Sequence, residues 1–183
     1  MNIANKITIL RILLTPVFLG LILYYKPEQD HLRFIALTIF VIAVLTDAID
    51  GFLARVLKQK TPLGTIMDPI ADKFLLITSF IALTVWSGSI RLPLWVPIIV
   101  VSRDIIIAIG VIVIFLTNGE IKIAPSVLGK LTTFFQMMAI ISVLLLYKHS
   151  EYIWYLAVIF TLASGIGYIL RGARLLNGTH GKK

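Results

Sequence analysis

Two apolar segments of the chain meet at the stretch DAIDGFLARVLKQKTPLGTIMDPIAD, which comprises residues 47–72. It contains four aspartates in two pairs, Asp47 with Asp50 and Asp68 with Asp72. Residues three or four apart lie on the same face of a helix, so each pair presents two carboxylates side by side. The polar connection at 58–62 is short, which predicts that the two helices are antiparallel neighbours. All four carboxylates are therefore expected to converge at one depth.

Carboxylates this close together need protons or cations to neutralise them. Ionisable residues within apolar spans are costly and are usually functional. Oxygen ligands favour magnesium, manganese or calcium. The pattern predicts a divalent-cation site, and the alternative is a set of carboxylates that are merely solvated at helix ends.

The composition indicates a membrane as the solvent. Of the 183 residues 58% are hydrophobic and 14% are charged, whereas soluble domains have about 45–50% and about 25%. A membrane-spanning helix needs roughly 20 mostly apolar residues. We therefore predict an all-α, polytopic bundle of six transmembrane helices, which forms a single domain over residues 1–183. The apolar stretches are 8–25, 33–57, 67–88, 94–116, 127–147 and 152–176.

Several classes of protein are excluded or disfavoured. The chain has no cysteine, which excludes a disulfide framework and a thiolate metal site. The net charge of +8 is explained by a basic cytoplasmic face, and no nucleic-acid partner is expected. Because Arg11 interrupts the first apolar stretch, the N-terminal segment is expected to be retained rather than cleaved as a signal.

The basic residues predict the orientation in the cell membrane. With six spans both termini lie on one side, and that face carries Lys6, Arg11, Arg55, Lys58, Lys60, Lys122, Lys130, Arg171, Arg174, Lys182 and Lys183. The other face carries Lys26, Arg33, Arg91 and Lys148. The richer face should be cytoplasmic, together with the termini and the active site. Aromatic residues at the poorer face suggest an outer interfacial belt: Tyr24, Tyr25, Trp86, Trp95, Tyr147, Tyr152, Trp154 and Tyr155.

Small and basic residues accompany the aspartates. Gly51 and Ala54 follow Asp50, and Gly64 lies one turn before Asp68. Small residues let a ligand or a helix approach the backbone closely, so tight helix packing is the alternative to a binding role. Arg55 adds a fixed cation that suits a phosphate oxygen.

The complete pattern resembles the signature of the CDP-alcohol phosphotransferase family at every position. It runs Asp47-x2-Asp50-Gly51-x2-Ala54-Arg55-x8-Gly64-x3-Asp68-x3-Asp72. Further blocks are similar to the phosphatidylglycerophosphate synthase branch and its related cardiolipin synthases: Asn5, Thr8, Arg11 and Pro16, then Ser102-Arg103-Asp104, then Gly129-Lys130-x-Thr132 and Gln136.

The resemblance implies a homodimeric six-helix enzyme that transfers a phosphatidyl group from CDP-diacylglycerol to an alcohol and releases CMP. It implies Mg²⁺ or Mn²⁺, as two ions, on Asp47, Asp50, Asp68 and Asp72, with Asp72 as the general base. It also implies a CDP-lipid site at Asp50, Gly51, Ala54, Arg55 and Gly64.

Three cations are candidates for binding the acceptor. Arg103 lies deep in a span and is the first candidate, with a buried structural ion pair as the alternative. Because adjacent helix residues do not face each other, Arg103 and Asp104 are expected to have separate partners. Lys130 either binds phosphate or extends to the interface. Arg11 belongs to a polar stripe with Asn5, Thr8 and Thr15 and either faces the cavity or extends to the interface.

Several readings of the acceptor and the reaction stay open. Glycerol-3-phosphate is preferred narrowly as the acceptor. The alternative is phosphatidylglycerol, as in a cardiolipin synthase, because Asp104 and Gly110 stand where the glycerol-3-phosphate enzymes usually have glutamate and a second arginine. A membrane prenyltransferase also pairs aspartate motifs but needs more spans. An ion transporter would need the paired half-helices that this sequence does not suggest.

Overall fold

The computed structural model describes the backbone of residues 3–56, 62–118 and 126–179, and the side chains of 7–47, 70–114, 116–117 and 126–173. Within these ranges the secondary structure consists of α-helices without a strand, which confirms the all-α prediction. Each helix overlaps one predicted apolar stretch. The helices are α1 (Ile3–Leu23), α2 (Asp30–Val56), α3 (Pro62–Val85), α4 (Trp95–Asn118), α5 (Val127–Leu144) and α6 (Ser150–Thr179).

Three of the described helices are long and apolar enough to cross a membrane. The segments lie in α4, α5 and α6, at Trp95–Ile114, Val127–Leu144 and Ser150–Ala173. The apolar part of α1 is shorter, at Ile7–Leu23. Length and hydropathy thus mark three of the six predicted spans as membrane helices.

The chain divides into two compact units. Unit 1 comprises Met1–Pro93 and Ile140–Tyr147, and unit 2 comprises Leu94–Ala139 and Lys148–Lys183. In unit 1, α1 packs against both α2 and α3. The rings of Phe18 on α1 and Phe40 on α2 are both fully buried, with centroids 5.8 Å apart. This packing places the polar face of α1 beside the two aspartate-bearing helices.

An ion pair lies at the start of α2, away from the aspartate motif. Arg33 is buried and donates hydrogen bonds to Asp30 at 2.6 and 2.7 Å and to the Leu144 carbonyl at 2.8 Å. The hydrogen bonds from Arg33 hold the pKa of the Asp30 carboxyl below its usual range. The pair fixes the beginning of α2 to the end of α5 within unit 1.

Unit 2 is held together by helix packing and by buried hydrogen bonds. The helices α4 and α6 pack against each other, and Trp95 meets Trp154 edge-on with ring centroids 5.4 Å apart. Thr132 Oγ1 donates to the Phe160 carbonyl at 2.9 Å, and Gln136 Nε2 donates to Thr161 Oγ1 at 3.1 Å. Such bonds connect apolar helices because a polar group left unpaired in an apolar medium is costly.

Only some of the aromatic residues predicted for the outer interfacial belt are exposed. Tyr25 and Trp86 are buried in unit 1 and stack with ring centroids 5.0 Å apart, and Trp154 is buried in unit 2. Trp86 Nε1 donates to the Ile90 carbonyl at 2.8 Å. These three rings therefore serve helix packing, and the exposed residues of the set are Tyr24, Trp95, Tyr147, Tyr152 and Tyr155.

Candidate active site

The first and last aspartates of the motif come together in unit 1. Asp47 lies in the second half of α2, and Asp72 lies in the first half of α3. Both helices pack on α1, and both carboxylates reach the same side chain of that helix, Arg11. The convergence predicted from helix spacing is therefore observed for Asp47 and Asp72.

Arg11 bridges the two carboxylates. Its Nη2 lies 2.8 Å from Asp47 Oδ1, and its Nη1 donates a hydrogen bond to Asp72 Oδ1. The Arg11 side chain is only 1% exposed, whereas the side chains of Asp47 and Asp72 are 35% and 34% exposed. A guanidinium is always charged in proteins, and burying it unpaired would be very costly. The two carboxylates compensate that cost and remain open to solvent or ligand.

The neighbours of Arg11 confirm the predicted polar stripe on α1. Thr8 and Thr15 are buried, and Thr15 Oγ1 donates to the Arg11 carbonyl at 2.9 Å. The side chain of Asn5 lies outside the described residues. Of the two predicted positions for Arg11, extension to the interface is wrong because its guanidinium is held inside the unit. In the structure, the Arg11 side chain contacts the carboxylates of Asp47 and Asp72, which leaves it paired rather than open to an anion.

The other motif residues lie in the helices, but outside the residues described at side-chain level. They are Asp50, Gly51, Ala54 and Arg55 in α2, and Gly64 and Asp68 in α3. The α-helical backbone is described at all six positions. Asp50 therefore lies one helical turn after Asp47, and Asp68 lies one turn before Asp72.

The chemistry of the described residues fits a hard divalent cation. Asp47 and Asp72 bring carboxylate oxygens from two helices to one point, and carboxylates are the preferred ligands of Mg²⁺ and Mn²⁺. Among the residues with described side chains, no group of three or more acidic, histidine or cysteine ligands occurs. The other two aspartates of the motif, Asp50 and Asp68, have side chains outside the described residues.

Arg103 occupies a buried polar cluster in unit 2. Its Nη1 lies 2.8 Å from Asp104 Oδ1, and both side chains are 10% exposed. Its Nη2 donates to Ser164 Oγ on α6 at 2.5 Å, and its Nε is buried without a hydrogen-bond partner. Arg103 thus has a partner of its own in Ser164, as predicted, but it also pairs with Asp104, which was not predicted. The long arginine side chain bends along its own helix, so it reaches the neighbouring carboxylate although the two Cβ atoms diverge.

Sequence reasoning missed two residues of this cluster, Ser164 and Gly165. A Cβ at Gly165 would lie 3.2 Å from Arg103 Cγ, so the absence of a side chain leaves room for the arginine. The signal available in the sequence is the Ser-Gly pair within an otherwise apolar stretch. Lys130, the other acceptor candidate in this unit, has an exposed side chain.

An apolar cavity of about 380 Å³ lies between α4 and α6. Gly110 and Gly172 line it, and a Cβ at Gly110 would have no neighbour within 4 Å. The ring of Tyr168 lies at the edge, 5.8 Å from Arg103 Cζ. Its lining of aliphatic side chains suits hydrocarbon rather than a polar ligand.

Comparisons with known proteins agree with the motif. A protein from Aquifex aeolicus named CDP-diacylglycerol–glycerol-3-phosphate 3-phosphatidyltransferase is 33% identical over 184 residues, which cover 96% of this chain and 98% of the relative. The Bacillus subtilis protein of the same name is 32% identical over 184 residues, covering 91% and 93%. A probable phosphatidylglycerophosphate synthase from Mycobacterium tuberculosis is 33% identical over 183 residues, covering 97% and 84%. A sequence model of the CDP-alcohol phosphatidyltransferase family matches residues 1–163, and this chain therefore belongs to the CDP-alcohol phosphatidyltransferase family.

Proposed function

We propose that this chain transfers the phosphatidyl group of CDP-diacylglycerol to glycerol-3-phosphate, giving phosphatidylglycerophosphate and CMP. The structural observation that carries the proposal is the convergence of Asp47 and Asp72 from two helices on one point. Relatives of matching length from Aquifex aeolicus and Bacillus subtilis bear the name of this activity, which supports the choice of acceptor.

The aspartates supply the chemistry of the proposed site. Asp47, Asp50, Asp68 and Asp72 would hold two Mg²⁺ or Mn²⁺ ions, and bound ions would neutralise the diphosphate of the CDP-lipid and the departing CMP. The CDP-lipid would lie against Asp50, Gly51, Ala54, Arg55 and Gly64, because small residues permit close approach and an arginine matches phosphate oxygens.

Asp72 is the proposed general base. It accepts the proton of the acceptor hydroxyl as the hydroxyl oxygen bonds to the phosphorus nearer the diacylglycerol. The bond from that phosphorus to the oxygen of CMP breaks in the same displacement, and CMP leaves with the electron pair. Holding the hydroxyl beside the carboxylate contributes more than the basicity of the carboxylate, because position converts the attack into an effectively unimolecular step.

The proposed setting is the cell membrane. Six spans with both termini and the aspartates on the cytoplasmic side are supported by the distribution of basic residues along the sequence. The homodimer implied by the family resemblance belongs to the same proposal. Single cysteines can be introduced into this cysteine-free chain at its two predicted membrane faces. Crosslinking them between chains would test the dimer. Labelling them in intact cells would test the orientation.

The acceptor is tested by supplying each candidate alcohol to the purified enzyme. With CDP-diacylglycerol and Mg²⁺, we expect glycerol-3-phosphate to release CMP at least tenfold faster than phosphatidylglycerol, serine or inositol phosphate. The measurement is CMP release together with identification of the lipid product. Faster release with phosphatidylglycerol would instead assign the chain as a cardiolipin synthase, which the Arg103-Asp104 pair of the sequence leaves as the second candidate.

Arg103 is the proposed ligand of the acceptor phosphate, and its ion pair dictates how to test it. Removing Arg103 alone would break its buried ion pair with Asp104, and breaking a buried pair typically costs about 3–5 kcal/mol of stability. The double variant Arg103→Met/Asp104→Asn removes both charges together. We expect it to fold and to raise the KM for glycerol-3-phosphate at least tenfold, with little change in the KM for CDP-diacylglycerol.

The single variant Asp104→Asn is the control for that experiment. It retains the arginine and should keep the KM for glycerol-3-phosphate within about threefold of the wild type, which corresponds to less than 1 kcal/mol. If the double variant melts normally and its KM for the acceptor is unchanged, Arg103 has only a structural role as the partner of Asp104 and Ser164. Lys130 would then be the next acceptor candidate.

A further inference from the structure

We propose that Arg11 is an internal counter-cation of the aspartate site. In this role it holds Asp47 and Asp72 together when no metal is bound, and it competes with the divalent ion for their oxygens. The inference rests on the proposed function, since it concerns the same carboxylates. It assigns Arg11 a positioning role in place of the acceptor-binding role expected from the sequence.

The contacts of Arg11 carry the first part of the inference. One guanidinium on α1 contacts a carboxylate on α2 through Nη2 and a carboxylate on α3 through Nη1. Without a positive charge between them, the two carboxylates would repel each other. The arginine therefore supplies, from within the chain, the neutralisation that a metal would otherwise provide.

The identity of the contacted atoms carries the second part. The guanidinium contacts one oxygen of each carboxylate, Oδ1 of Asp47 and Oδ1 of Asp72, so it lies where a cation shared by both carboxylates would bind. Arg11 cannot lose its charge, and its side chain is shielded from water by burial, where charges interact strongly. A divalent ion on the same oxygens would have to displace the guanidinium or bind beside it, and both weaken its binding.

Further groups near Arg11 do not remove the competition. The Arg11 Nε is buried without a hydrogen-bond partner. Within the described structure, the guanidinium is therefore held by its contacts to Asp47 and Asp72. Thr15 bonds to the backbone carbonyl of Arg11 rather than to its side chain. Of the contacts of the Arg11 side chain in the described structure, those to the carboxylates are the ones that an incoming cation would take over.

The test is a titration of metal-free protein in detergent with Mn²⁺, in which the EPR signal reports free ion. The variant Arg11→Met has a side chain of similar length without charge. We expect it to bind Mn²⁺ at least tenfold more tightly than the wild type. We also expect its melting temperature to fall in EDTA and to rise more on adding Mn²⁺ than that of the wild type. Arg11→Lys keeps the charge and should bind Mn²⁺ within about threefold of the wild type.

Arg33→Met is the matched control. It also removes a buried arginine that pairs with an aspartate in unit 1, but Asp30 and Arg33 lie outside the aspartate motif. The control should lower the melting temperature equally with and without Mn²⁺ and leave the Mn²⁺ affinity unchanged. A mere packing role for Arg11 would give the same result as this control.

The remaining outcomes distinguish the counter-cation role of Arg11 from acceptor binding and from failure of the metal site. If the wild type binds no Mn²⁺, the metal site of the proposed function fails. If the wild type binds Mn²⁺ and Arg11→Met binds it equally or more weakly, the counter-cation role is wrong while the proposed function stands. A raised KM for glycerol-3-phosphate at unchanged Mn²⁺ affinity would restore Arg11 as an acceptor ligand. If Arg11→Met folds only with Mn²⁺ present, the inference is supported. If Mn²⁺ restores the folding of neither Arg11→Met nor the neutral variant Arg11→Gln, the inference is overturned.

Discussion

Replacing Asp72 by asparagine is expected to lower phosphatidyl transfer by at least a thousandfold while the protein still inserts and purifies. The substitution removes one of the two carboxylates that meet at Arg11 and, in the proposed mechanism, the general base. A thousandfold loss corresponds to about 4 kcal/mol of barrier. Folding should survive because Asp47 still pairs with the buried guanidinium. The measurement is CMP release from CDP-diacylglycerol at saturating glycerol-3-phosphate, beside a melting curve in detergent.

Asp30→Asn is the control for this prediction. Asp30 is also an aspartate paired with an arginine in unit 1, but it lies at the start of α2 with Arg33 rather than in the motif. The control should lose little activity. Asp68→Asn should behave as Asp72→Asn does if all four aspartates act together. Near-wild-type turnover in Asp72→Asn would remove Asp72 from the site and contradict the catalytic assignment.

Chelation is expected to stop the reaction, and Mg²⁺ or Mn²⁺ is expected to restore it. The proposed ligands are all carboxylates, which favour hard cations, whereas zinc prefers the nitrogen and sulfur ligands that this site does not offer. Activity in excess EDTA should fall at least a hundredfold, and added Zn²⁺ should restore little of it. The measurement is CMP release after dialysis against EDTA and after return of each ion.

EDTA that has been saturated with Mg²⁺ beforehand is the control for chelation, and it should have no effect on the rate. It separates removal of the ion from other actions of the chelator on protein or detergent. Full activity of dialysed enzyme in excess metal-free EDTA would falsify the divalent-ion requirement. In that case the carboxylates would act without a metal, with Arg11 as their neutralising group.

The helices could be predicted from the sequence because apolar stretches of this length have few alternatives. Their ends could not, since helical hydrogen bonding continues into polar residues beyond the apolar core. Thus α1 begins at Ile3 rather than near residue 8, and α6 continues to Thr179. The sequence predicted six helices that cross the membrane, and three of the described helices are long and apolar enough to do so.

In the candidate site, helical spacing predicted the convergence of the aspartates. The partners of the two buried arginines depend instead on tertiary contacts. The convergence of Asp47 and Asp72 follows from helix periodicity and a short connection, and the structure agrees. The partner of Arg11 depends on which helices pack on α1, which no local pattern specifies. The Arg103–Asp104 pair depends on the bend of one long side chain. The roles of these residues in catalysis stay predictions.

The bridge from Arg11 to Asp72 also constrains how the protein is made. Arg11 emerges from the ribosome first, and Asp72 follows 61 residues later. At about 5–20 residues per second the delay is roughly 3–12 s. Before both aspartates have been made, Arg11 lacks carboxylates that it contacts in the folded unit, and a charged side chain within a membrane-spanning helix is costly. We therefore expect α1 to insert stably only after α2 and α3 have been synthesised, so that truncated chains ending before Asp47 would leave the first helix outside the bilayer.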